Sequence, residues 1–62
     1  MTDPKYSRLK HDLANPLSAV LAESQLLLMR SDEFPGDVVE SLRAIEMGAM
    51  RMRELLQDLK SD

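Results

Sequence analysis

Ser31-Asp32-Glu33-Phe34-Pro35-Gly36 is the stretch that decides how this chain folds. It gathers turn-forming residues and a Pro-Gly pair between two long segments of helical periodicity, so it reads as a breaker. Just after it, Asp37 with Glu40 three residues on has the spacing of a capping box and predicts the start of a second helix. At the other end, Asp3-Pro4 reads as an N-cap followed by proline at the first helical position. Nothing reads as a strand, a repeat or a low-complexity tract. The expectation is an all-α domain over residues 1–62, with helix 1 at about 3–30, a loop at 31–36 and helix 2 at about 37–60.

The periodicity supports two amphipathic helices. In the second segment Val38, Leu42, Ile45, Ala49, Met52, Leu56 and Leu59 step by four and three, the seam of a bundle helix. The first carries a broader stripe of Leu9, Leu13, Leu17, Val20, Leu21, Ser24, Leu27 and Leu28. Two such helices joined by a short loop make an antiparallel hairpin. A lone hairpin leaves half of each stripe in water, so homodimerisation into a four-helix bundle is expected.

Composition narrows the function. With 62 residues the chain is one small domain, marginal unless it is stapled or oligomeric. It has no cysteine, which excludes disulfides and thiolate metal sites, and one histidine among scattered carboxylates makes a poor zinc site. A net charge of −3 argues against nucleic-acid binding. The longest aliphatic run, Leu26-Leu27-Leu28-Met29, is far too short to span a bilayer, and no signal-peptide pattern opens the chain. A cytoplasmic segment without direct membrane contact is expected, any membrane anchor of the parent protein lying outside these residues.

Helical phase places the single histidine. Successive residues turn by about 100°, so His11 lies about 200° from Leu13, taken as the centre of the buried stripe, and faces solvent. Asn15 sits within about 40° of it, and Ser18 and Ala22 continue the line. The exposed line is one titratable group followed by small side chains.

His11-Asp12-Leu13-Ala14-Asn15-Pro16-Leu17 resembles the H-box of sensor histidine kinases, in which His and an acidic residue lead to Thr or Asn and then Pro-Leu. The resemblance covers nearly the whole chain: an H-box near the start of a long helix, a short loop, and a second helix with a heptad-like seam. It implies the dimerisation and histidine phosphotransfer (HisKA-type) domain of a bacterial two-component sensor histidine kinase. His11 would accept a phosphoryl group from ATP bound by a separate domain and donate it to an aspartate of a response regulator receiver domain. One departure is Ala14, where many family members carry Arg, and it removes a cation near the site.

Each motif residue also has its own chemistry. A neutral imidazole is a nucleophile near neutral pH, and phosphoryl transfer depends mostly on positioning. Asp12 can hydrogen-bond one ring nitrogen, fix the tautomer and accept a proton as the other attacks; the competing reading is a solvated carboxylate paired with Arg8. Asn15 can orient a water, and the family assigns this place to removing phosphate from the regulator, which implies phosphatase activity; otherwise it is a polar surface residue. Pro16 inside a helix deletes the hydrogen bond to the Asp12 carbonyl at a cost of ~3 kcal/mol. A restart with Asn15 as N-cap competes, but Leu9, Leu13 and Leu17 keep phase across Pro16, so one bent helix is expected.

Met47, Met50 and Glu54 fall outside the seam, and in an antiparallel hairpin the two methionines come beside Ser18 and Ala22. These five residues form the candidate docking surface for a receiver domain. Arg43, Arg51 and Arg53 with Glu46 and Glu54 read as a solvated charged face. No phosphate-binding glycine loop is present, so this segment is expected to bind no cofactor or metal, with ATP and Mg supplied by a separate ATP-binding kinase domain. The alternative function is a non-catalytic dimeric helical module. A freestanding monomeric phosphotransfer protein would need four helices in one chain.

Overall fold

A computed structural model describes residues 4–59, with side chains from Ser7 onward. Two antiparallel helices make up the fold: α1 over Pro4–Leu28 and α2 over Gly36–Asp58. A single 3-10 turn, Ser31–Glu33, lies in the connection between them. The hairpin is a rod of 49 × 14 × 12 Å.

The connection is held by short backbone bonds and one side chain. Arg30 N–H donates to the Leu27 carbonyl at 3.0 Å, and Glu33 N–H donates to the Arg30 carbonyl at 2.9 Å. The Arg30 guanidinium pairs with Glu33 at 3.1 Å and lies 6.0 Å from the Phe34 ring centroid. Both charges are exposed, so the pair shapes the turn more than it stabilises the fold.

The start of α2 differs from the sequence reading. Pro35 is the N-cap, and its carbonyl accepts from both Val38 N–H and Val39 N–H at 3.1 Å. Asp37 therefore lies within the first turn, where its Oδ1 accepts from the Val38 amide at 3.0 Å and its charge complements the helix dipole. No capping box with Glu40 forms, because proline's extended ψ places the cap two residues earlier than Asp37. The Asp3 cap lies outside the described residues.

α1 runs unbroken through Pro16. The Asn15 restart is therefore not used, and the Asp12 carbonyl has no proline N–H to receive.

Packing between the helices is narrow. Leu17, Leu21 and Ala49 form the buried cluster, Leu56 packs against it, and Leu42 is buried nearer the loop. Ser24 is also buried, its hydroxyl donating to the Leu21 carbonyl at 2.8 Å, and among the described residues no buried side-chain polar atom lacks a partner.

This arrangement splits the expected α2 seam in two. Leu42, Ala49 and Leu56 face α1, whereas Val38, Ile45, Met52 and Leu59 remain exposed, Ile45 by 48% and Met52 by 54%. The first stripe divides likewise: Leu17, Leu21 and Ser24 are buried, while Leu9, Leu13, Val20 and Leu27 are exposed. The reason is geometric, since one neighbouring helix can cover only one line of side chains on each partner.

The uncovered lines meet along one side of the hairpin. They form a continuous apolar trough, lined by Leu13, Pro16, Val20 and Leu27 from α1 and by Ile45, Gly48, Met52 and Leu59 from α2. Gly48 is one of its exposed lining residues, and a Cβ there would meet nothing within 4 Å.

Candidate phosphoacceptor site

His11 lies on α1 about two turns from the helix start and is exposed, as are Asp12 and Asn15. The centre of the packed seam is Leu17 rather than Leu13, which is itself 46% exposed. Taken from Leu17, His11 is rotated by about 120°, away from the trough. The exposure expected from phase is present, but its reference was one line off. His11 faces the long side opposite the trough because Leu13 and Val20 turn one way from the seam while His11, Ser18 and Ala22 turn the other.

Two cross-hairpin relations fix what lies alongside. Lys10 Nζ donates to the Leu59 carbonyl at 3.0 Å, joining the residue before His11 to the end of α2. In the middle, Leu17 and Leu21 pack with Ala49. This register sets Met50 level with the turn of Ser18, Met47 level with Ala22, and Glu54 level with Asn15. Helical phase puts Met47, Met50 and Glu54 on the His11 side of α2, opposite Ile45 and Met52. All are exposed, and Glu54 is engaged with Arg51 at 3.5 Å. The side thus presents one imidazole, an amide, two small side chains and two thioethers.

Among the described residues, His11, Asp12 and Asn15 make no side-chain hydrogen bond, and Asp12 forms no ion pair with Arg8. The Arg8 pairing considered for Asp12 is thus not made. A basic residue N-terminal to its acidic partner is the less favourable order on a helix.

Lys10 was not singled out from the sequence. Its signal was available: Ser7, Lys10, Ala14, Leu17, Leu21 and Ser24 step by three and four, so Lys10 occupies a seam position. α2 has no basic residue in its last turn, so a cation supplied from α1 meets its C-terminal carbonyls.

Among the described residues no cluster of His, Cys, Asp and Glu has metal-binding arrangement. No helix among them is long and apolar enough to cross a membrane. The trough walls are aliphatic.

Searches of curated protein sequences and of solved structures found no match. The protein-family description "His Kinase A (phospho-acceptor) domain" matches residues 7–61, which takes in the whole described hairpin from Ser7 onward. With a helical hairpin and an exposed histidine near the start of its first helix, the chain belongs to the His Kinase A phospho-acceptor domain family of histidine kinases.

Proposed function

We propose that His11 is the phosphoacceptor and that two copies of this hairpin form the dimer on which it works. One observation carries the assignment: the chain's single histidine is exposed, with unengaged Asp12 and Asn15 beside it, on the side opposite an uncovered apolar trough. One side suits exchange of a group with visiting domains; the other suits permanent burial.

The chemistry follows from the side chains. One ring nitrogen of His11 attacks phosphorus in line, the bond to the departing oxygen of ATP breaks, and the ring's proton passes toward Asp12. Asp12 is suited to this because it directly follows His11 on an exposed stretch of helix and, among the described residues, holds no other partner. ATP and Mg²⁺ belong to a separate ATP-binding kinase domain, since these residues offer aliphatic grooves and no phosphate cradle. The phosphoryl group then moves to an aspartate of a response regulator receiver domain, breaking the N–P bond and forming an acyl phosphate. Ser18, Ala22, Met47, Met50 and Glu54 form the surface on which the receiver sits: small residues allow close approach and thioethers adapt to it. Asn15 positions a water that attacks the regulator's acyl phosphate, breaking its P–O bond to release inorganic phosphate and the free carboxylate. The domain works in the cytoplasm, where ATP and receiver domains are found.

Dimerisation rests on burial. Among the described residues four hydrophobic side chains are buried, while Leu9, Leu13, Val20, Ile45, Met52 and Leu59 stay exposed along the trough side. A core that small does not offset the ordering of two long helices. Packing two troughs face to face covers the line and completes a four-helix bundle.

The test is acid-labile labelling. The chain is incubated with ATP and a separately expressed histidine-kinase ATP-binding domain, beside His11→Ala. Label on the wild type and none on the variant is the expected result. Absence of label from both would leave a structural helical module, and label on the variant would overturn His11.

A further inference from the structure

A phosphoryl group on His11 would place a dianion beside the Asp12 carboxylate, and Ala14 offers no charge one turn further on. A cation on α1 would offset that repulsion. Two are near. Lys10 is committed across the hairpin to the Leu59 carbonyl, on the seam side. Arg8 is exposed and lies three residues before His11, within about 60° of it, on the same side of the ring as Asn15. Residues three apart on a helix are surface neighbours, with Cβ atoms roughly 5–6 Å apart. Among the described residues Arg8 forms no ion pair, and its one acidic neighbour at helical spacing, Asp12, is in the unfavourable order.

We infer that Arg8 is the phosphoryl-binding residue of this site, its guanidinium donating to the oxygens of the group carried by His11. A planar fork of N–H donors suits such oxygens, and it offsets the repulsion from Asp12. The inference rests on His11 being the acceptor. It adds a second binding group one turn upstream of the motif, at a position where helix phase rather than local sequence brings it to the ring.

Phosphoramidate tests this with the chain alone. Its N–P bond breaks, a bond forms to a ring nitrogen of His11, and ammonia leaves with the proton that the ring gives up. Initial rates are read by ³¹P NMR for wild type, Arg8→Lys, Arg8→Gln and Arg8→Glu. The expected order is wild type, then Lys, then Gln, then Glu. Arg8→Gln should be about two- to fivefold slower, the range an exposed charge pair supplies. Near 1 M salt the differences should shrink as screening shortens to about 3 Å. A role in helix stability would not produce a salt-sensitive order at unchanged thermal midpoint. Equal rates for wild type and Arg8→Gln, with His11→Ala unlabelled, would overturn Arg8 alone. Absence of label on wild-type His11 would remove both this inference and the acceptor assignment.

Discussion

Lys10 Nζ and the carbonyl oxygen of Leu59 meet at 3.0 Å, so the residue before His11 is tied to the last turn of α2 across 49 positions of chain. The bond supplies a positive charge at a helix C-terminus that has none of its own. Lys10→Met keeps the stem and removes the donor. It should cost about 0.5–1 kcal/mol, the value of an exposed charge at a helix end. Amide exchange measures it: Leu55 to Leu59 should exchange faster, while Leu42 to Ala49 should not change.

Burial predicts a steep contrast between neighbours on α1. Leu21 is 5% exposed within the seam and Leu26 is 57% exposed on the opposite face. Leu21→Ala should cost about 2–4 kcal/mol, enough to unfold most of so small a core. Leu26→Ala should stay within about 0.5 kcal/mol. Urea titration followed by circular dichroism checks both.

The two sides of the hairpin should separate assembly from transfer. Ile45→Glu with Met52→Glu puts charge into the trough and should give monomers in sedimentation equilibrium, with most of the helical circular-dichroism signal lost. Met47→Glu with Met50→Glu should leave the dimer intact and slow transfer to a receiver domain at least severalfold. Unchanged transfer from a folded dimer would rule out docking on those methionines.

Pro16 interrupts the hydrogen-bond ladder of an otherwise unbroken α1. Pro16→Ala restores a donor for the Asp12 carbonyl and should raise stability by up to about 3 kcal/mol. Exchange of amides around Asp12 to Leu17 should slow accordingly. If the turn beside His11 needs that missing bond to rearrange between accepting and donating, labelling and transfer rates should fall as stability rises.

Much of this was legible before any coordinates. The breaker from Ser31 to Gly36 and the four-three spacing of both segments are enough for a helical hairpin. The solvent exposure of His11 follows from phase. What spacing could not resolve was which of two interleaved lines faces the partner helix, since Leu42 and Ile45 are equally apolar and differ only in azimuth. For the same reason Leu13 was placed at the centre of the seam, although it lines the trough. Asp37 has the spacing of a cap, but the ψ of Pro35 decided the start of α2. The seam position of Lys10 can be read from the three-four spacing, but its partner cannot, because a backbone carbonyl carries no sequence signature.

Gly48 has a further consequence. A methyl added there would touch nothing in its own hairpin, so nothing within the fold requires the smallest residue at that place. Alanine at 48 should even raise helix content in dilute monomer, by roughly 1 kcal/mol of propensity. Any penalty it carries must be imposed by a second backbone arriving over the trough. That position is thus a gauge of how closely two copies approach: the concentration at which Gly48→Ala turns from helpful to harmful marks the onset of contact.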